Sequence, residues 1–212
     1  MPTQLYLIPP PRFELASFTK VLEQVLSAVP VACLQLRLKP VDEDVIFHYG
    51  QKIKPITNKY NVALIINDRA DLAKKLQADG VHIGQDDIDY QKARQILGPD
   101  RIIGVTCHNS KELAYEAADA GADYVAFGAF FPSKTKDKPK TQANISLIHD
   151  WHISTNTPCV AIGGITPENC QPLIEAGADF LAVSGGVWQH PDGPVNAARK
   201  FEFLFKQHPA ME

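Results

Sequence analysis

The sequence predicts an α/β fold, a single-domain (β/α)8 TIM barrel spanning residues 1–212. Three observations predict it. Eight short apolar runs alternate with eight amphipathic stretches along the chain, and such alternation gives a parallel sheet that eight units can close. Seven of the connections are short, as compact α/β units require. A weak internal repeat also recurs. Ala120-Gly121-Ala122-Asp123 precedes Tyr124-Val125-Ala126-Phe127-Gly128, Ala176-Gly177-Ala178-Asp179 precedes Phe180-Leu181-Ala182-Val183, and Ala78-Asp79-Gly80 leads into Val81-His82-Ile83-Gly84. Each is a helix end with a glycine stop, a polar turn and a buried strand. A doubly wound sheet is the alternative fold, but it has no need of an eighth equivalent strand.

The first expected strand, Leu5–Ile8, is ended at once by Pro9-Pro10-Pro11. It is too short for a signal or membrane span and has no basic leader, so neither is expected. A helix at Phe18–Ala28 leads to the second strand, Ala32–Leu36. Strand side chains alternate faces, so Gln35, Arg37 and Lys39 share one face while Leu34, Leu36 and Leu38 share the other. The leucines meet the helical layer, which turns the Gln, the Arg and the Lys toward the barrel axis near its mouth. An inward Arg beside an inward Lys repels unless an anion is present.

After a helix at Asp44–Lys59, the third strand, Ala63–Ile66, ends in Asn67-Asp68 and gives way to a helix at Ala70–Leu76. The fourth, Gly80–Ile83, runs into Gly84-Gln85-Asp86-Asp87 before a helix at Tyr90–Leu97. Active sites of these barrels collect at the C-terminal strand ends. Asp68 and either Asp86 or Asp87 are therefore expected on one rim. Paired carboxylates beside cations serve acid–base chemistry or hold a hard cation such as magnesium. Helix capping is the competing explanation for each acid.

The fifth strand, Ile102–Val105, continues into Thr106-Cys107-His108 and a helix at Lys111–Ala120. The sixth, Tyr124–Phe127, opens the one long connection, from Gly128 to about Asn144. It contains Pro132-Ser133-Lys134-Thr135-Lys136-Asp137-Lys138, a basic, hydroxyl-rich stretch expected to be a lid or binding loop. A helix at Ile145–Trp151 precedes the seventh strand, Cys159–Ile162, which runs into Gly163-Gly164-Ile165-Thr166-Pro167 and a helix at Pro167–Glu175. The eighth strand, Phe180–Val183, is followed by Ser184-Gly185-Gly186 and a helix at Val195–Phe205. Glycine N–H groups in loops seven and eight make the usual phosphate cradle of this fold.

Composition narrows the function. A hydrophobic share of 45% and a charged share of 21% are ordinary for a soluble protein. A formal charge of -3 leaves no electrostatic footprint for nucleic acid or anionic membrane. Cys33, Cys107, Cys159 and Cys170 are scattered with no C-x-x-C pair, which suits reduced thiols in a cytoplasmic protein. Cys107 stands apart because it lies in a functional loop. Arg37, Lys39 and Lys136 with a magnesium ion, set against two aspartates, leave a charge of about plus three, close to that of a bound pyrophosphate. No nucleophile–base pair is evident, and a reaction driven by loss of pyrophosphate needs none.

These motifs resemble the thiamine-phosphate synthase family, with the similarity running from about Leu5 to Phe205. The family's Q-L-R-x-K matches Gln35-Leu36-Arg37-Leu38-Lys39, its N-D matches Asn67-Asp68, and its H-I-G-Q-x-D matches His82-Ile83-Gly84-Gln85-Asp86-Asp87. Thr106 supplies the hydroxyl after the fifth strand, Ser133-Lys134-Thr135-Lys136 match T-x-T-K, and Gly163-Gly164-Ile165 match G-G-I. The resemblance implies a magnesium-dependent transferase that condenses a (diphosphooxymethyl)pyrimidine with a thiazole phosphate, giving thiamine phosphate and pyrophosphate by a dissociative substitution. It implies that Gln35, Arg37, Lys39, Asn67, Thr106 and Lys136 hold the pyrimidine diphosphate, with Arg37, Lys39, Lys136 and Thr106 acting on the reacting group. Asp68 and Asp87 would ligate Mg2+. Ser133, Thr135, Gly164 and the backbone of Ser184 and Gly185 would hold the thiazole phosphate. The sequence departs from the pattern at Leu38, where the family has an acid, at Ser133, which replaces a threonine, and at Ser184, displaced by one position. The rival readings are a thiazole tautomerase centred on His108 and a non-catalytic phosphate-binding barrel. Partners are expected to be small phosphorylated molecules, with homo-oligomerisation left open.

Overall fold

Alternation along each strand sorts the side chains into two layers, and that sorting closes the sheet. In a computed structural model, which describes residues 2–38, 41–132 and 142–208, the strands are β1 (Gln4–Leu7), β2 (Cys33–Leu36), β3 (Ala63–Asn67), β4 (Gly80–Ile83), β5 (Ile102–His108), β6 (Tyr124–Gly128), β7 (Cys159–Ile162) and β8 (Phe180–Val183). They form a closed barrel in sequence order. All neighbours are parallel, and β8 pairs back onto β1. The helices are α1 (Leu15–Ala28), α2 (Glu43–Lys59), α3 (Ala70–Leu76), α4 (Tyr90–Leu97), α5 (Lys111–Ala120), α6 (Ser146–Ser154), α7 (Gln171–Glu175), α8 (Gly185–Trp188) and α9 (Pro194–Gln207).

The expected elements are all present, several with ends shifted by one to three residues, and three differences bear on the site. The fifth strand runs on to His108, so the Thr106–His108 segment belongs to the sheet. The helix expected from Pro167 begins only at Gln171, because turns occupy the residues after Gly164. A four-residue helix, α8, follows Ser184, and its glycine-rich start gave no helical signal in the sequence.

Outside the sheet, Leu34, Leu36, Leu64, Ile66, Val81, Ile83, Val125 and Phe127 pack under the helices. The α1 helix shows how the other side is made: Phe18, Leu22, Val25 and Leu26 form its buried stripe at helical spacing. Each such side chain contributes about 1.5–3 kcal/mol by leaving water. Inside the barrel a smaller layer gathers Tyr6, Ile8, Cys33, Ile65, Tyr124, Ala126, Val160 and Ala182. The phenols of Tyr6 and Tyr124 make this layer partly polar.

The sequence repeat has a structural cause at the N-terminal end of the barrel. Asp79 Oδ2 accepts the Leu64 N–H at 2.7 Å, Asp123 Oδ2 the Ile103 N–H at 2.8 Å, and Asp179 Oδ2 the Cys159 N–H at 2.8 Å. Each aspartate stands before an even-numbered strand and satisfies a backbone donor near the start of the preceding odd-numbered one. Buried N–H groups need partners, and in three of the four strand pairs a carboxylate supplies one.

Candidate active site

The C-terminal strand ends are built first by register. Leu36 pairs with Ile66, and Asn67 pairs with His82. Arg37 therefore leaves β2 at the same rim on which Asn67, Asp68 and the loop after Ile83 emerge. Gln35 lies on the inward face with Cys33 and is only 3% exposed, whereas Leu36 and Leu38 belong to the outer layer. The alternation expected for β2 holds through Leu38. Lys39 lies outside the described residues, as do Ser133, Thr135 and Lys136.

Asp68 is held in the left-handed backbone region, φ +63°. Aspartate tolerates this region better than most residues. Its N–H donates to the His82 carbonyl at 2.8 Å, and Arg69 N–H donates back to Asn67 O at 2.8 Å, closing a tight turn around Asp68. Asp87 sits in the loop after β4, where its Oδ2 accepts the Gly84 N–H at 2.8 Å. Neither acid stands at a helix N-cap position. The residue before α3 is Arg69, which makes no side-chain cap bond, and α4 is capped by Asp89, whose carboxylate accepts the Lys92 N–H. The N-cap positions of α3 and α4 thus belong to neither acid, nor to Asp86.

Asn67, Asp68 and Asp87 line one cleft of about 330 Å³, with Leu36, Leu38, Val41, Ile46 and Arg69 as its other walls. Arg69 is a cation that sequence reasoning passed over. Its guanidinium donates to both oxygens of Asp71 at 2.9 and 2.6 Å and pairs with Glu43. These bonds raise its pKa above the ordinary guanidinium range, and the paired charge ties α2 to α3. A larger groove of about 700 Å³ lies elsewhere, between Pro167-Glu168 and α9. Ion pairs Lys200–Asp192 and His190–Glu168 join its walls, and it gathers none of the expected site residues.

The donor chemistry at the rim fits a hard divalent cation. Among the described residues no group of three or more His, Cys, Asp and Glu side chains could hold a metal ion. Two carboxylates alone suit magnesium, which keeps water and ligand phosphate in the rest of its shell.

On β5, Thr106 faces the axis beside His82, whose Nε2 lies 2.7 Å from Thr106 Oγ1. The β5–β6 register slips here: Ala126 pairs with Thr106, and Phe127 with His108. His108 follows with φ +54°. Cys107 points outward into the core, fully buried, and burial pushes its thiol up to about 12. That thiol is no nucleophile near neutral pH, so Cys107 is a packing residue.

The root of loop six meets loop seven, and loop seven meets loop eight, at the opposite side of the mouth. Gly164 has φ +63°, and a Cβ there would collide with the carbonyls of Pro132 and Phe131. The Phe131 N–H donates to Gly163 O at 3.0 Å. The glycine pair thus lets the root of loop six lie directly on loop seven. At loop eight, the Ser184 hydroxyl donates to Pro9 O at 3.3 Å. Gly185 opens α8, where the first N–H groups have no partner within the helix.

Comparison with known proteins agrees with this fold. The family described as thiamine monophosphate synthase matches residues 5–187. The thiamine-phosphate synthase of Rhodospirillum centenum is 50% identical over 203 residues, covering 96% of this chain and 98% of that one. The enzyme of the same name from Hyphomonas neptunium is 49% identical over 209 residues, covering 96% and 94%. Among solved structures, thiamine phosphate pyrophosphorylase from Pyrococcus furiosus superposes with a TM-score of 0.84 at 27% identity, covering 96% of each chain.

Proposed function

The chain belongs to the thiamine monophosphate synthase family, and from that premise we propose that it is a transferase of thiamine biosynthesis, joining a (diphosphooxymethyl)pyrimidine to a thiazole phosphate with release of pyrophosphate. The observation that carries the reading is a pair of strand-end acids, Asp68 and Asp87, on one cleft beside Asn67.

Asp68 and Asp87 would hold Mg2+, which when bound supplies a Lewis acid for the departing diphosphate. Arg37, Lys39 and Lys136 place positive charge where the leaving group gains negative charge. Gln35, Asn67 and Thr106 orient the pyrimidine diphosphate. Its carbon–oxygen bond breaks with the electron pair leaving on pyrophosphate, and the thiazole nitrogen donates its lone pair to the exposed carbon. Gly164, the Ser184–Gly185 backbone, Ser133 and Thr135 hold the thiazole phosphate so that this nitrogen faces the carbon. The nitrogen attacks without losing a proton, so the protein needs no general base. All four cysteines are free and buried, which supports a cytoplasmic setting. No helix among the described residues is long and apolar enough to cross a membrane.

The test is an assay of the purified protein with both substrates, with Mg2+ and with a chelator. Thiamine phosphate and pyrophosphate should appear in equal amounts, and only when both substrates and the metal are present. Isomerisation of a thiazole phosphate alone would instead identify a tautomerase, and tight binding without turnover a phosphate-binding barrel.

A further inference from the structure

The H-I-G-Q stretch enters the proposed function only through the aspartates after it, which leaves His82 and Gln85 without a role. His82 is an inward residue of β4, stacked on Tyr124 with ring centroids 5.6 Å apart and planes 18° from parallel. Its Nε2 meets Thr106 Oγ1 at 2.7 Å, and its Nδ1 meets the Tyr124 hydroxyl at 3.0 Å. The Tyr124 hydroxyl in turn lies 2.9 Å from that of Tyr6. Gln85 Nε2 donates to the Thr106 carbonyl at 2.6 Å. Thr106, at the slip in the β5–β6 ladder, is thus gripped at both of its polar ends from β4 and the loop after it.

We propose that His82 and Gln85 are positioning residues for Thr106, and that the chain Tyr6–Tyr124–His82 sets the direction in which the Thr106 hydroxyl donates. The proposal rests on the reading of Thr106 as a ligand of the diphosphate. An ionised diphosphate oxygen only accepts hydrogen bonds, so Thr106 must give it its single proton. At the 2.7 Å contact Thr106 Oγ1 must then accept, which puts the proton of a neutral imidazole on Nε2. Nδ1 becomes an acceptor of the hydrogen bond that the Tyr124 hydroxyl donates, and the Tyr124 oxygen accepts one from the Tyr6 hydroxyl. Each group has one proton for one bond, and the chain runs one way from the barrel floor to the ligand. Burial raises the pKa of both phenols well above the ordinary value, so neither proton is lost near neutral pH.

The experiment is a set of double-mutant cycles read in kcat and in KM for each substrate. Thr106→Val and His82→Leu should each lower kcat by about tenfold, the worth of one hydrogen bond to a charged group, with KM for the thiazole phosphate unmoved. The double variant should be no slower than Thr106→Val alone, because His82 acts only through that hydroxyl. His82→Gln keeps a donor at the Nε2 position and should recover most of the rate. Multiplying losses in the double variant would overturn the positioning role while leaving Thr106 as a ligand. Full activity of Thr106→Val would instead remove the reading beneath it. Should His82→Leu fail to fold by circular dichroism, the cycle of exposed Gln85→Ala with Thr106→Val replaces it. A Gln85→Ala variant at full rate, or one additive with Thr106→Val, then refutes the proposal.

Discussion

Asparagine separates charge from shape at the two rim acids. An Asn at position 68 can keep the left-handed backbone, since its short polar side chain tolerates that region as aspartate does. An Asn at position 87 can still accept the Gly84 N–H through its carbonyl oxygen. Asp68→Asn and Asp87→Asn should therefore fold normally, yet each should lose about a hundredfold or more in turnover, because a metal site deprived of a charged ligand binds and polarises poorly. Steady-state rates across a magnesium titration, with circular dichroism as the fold control, check this. Near-normal rates in both variants would end the metal assignment. Lys136→Ala should weaken binding of the pyrimidine diphosphate more than that of the thiazole phosphate, measured by titrating each separately. A point charge aimed at a diphosphate loses most with that ligand.

Among the elements, the strands and most helices were legible in the sequence because buried runs and glycine stops carry strong local signals. The bounds of α3, α4 and α5 match the periodicity residue for residue. Inward Gln35 followed from simple alternation, and the rim position of Asp68 from its place just past the end of the third strand. Other features were hidden because they are set by neighbours distant in the chain. Tyr124 reads as one more apolar strand residue, and only the closed barrel shows its hydroxyl between Tyr6 and His82. The β5–β6 slip at Thr106 has no sequence mark. In the sequence Gly163-Gly164 reads as a phosphate cradle, whereas its tight contact with the root of loop six is set by the fold. Gly104 is similar: a Cβ there would overlap the Tyr124 ring. Gly104→Ala should displace that ring, lowering the unfolding free energy by about 1–3 kcal/mol through overpacking and reducing kcat by breaking the contact to His82. Urea unfolding and kinetics on the same preparation would measure both. At the other end of the strands, Asp79→Ala strands the Leu64 N–H and should cost about 1–3 kcal/mol, with kcat of the folded protein unchanged.

For the molecule as a whole, the barrel interior and the layer between sheet and helices together hide every thiol. Cys33, Cys107, Cys159 and Cys170 are all buried, and burial pushes three of them, Cys107, Cys159 and Cys170, up to about 12. The native protein should react with a chromogenic disulfide reagent only as fast as it opens, whereas in denaturant four thiols per chain should titrate at once. A thiol that reacts rapidly in the native state would show that the sheet parts locally.

Asp79, Asp123 and Asp179 each accept a backbone N–H at the lower end of the barrel, whereas Asp68 and Asp87 line a cleft at the upper end. The same side chain is therefore under two different demands, according to which way its strand is leaving the barrel. A library substituting every aspartate, scored once for soluble yield and once for product per molecule, should divide along that geometric line. Lower-end variants would be scarce but competent, and upper-end variants abundant but idle.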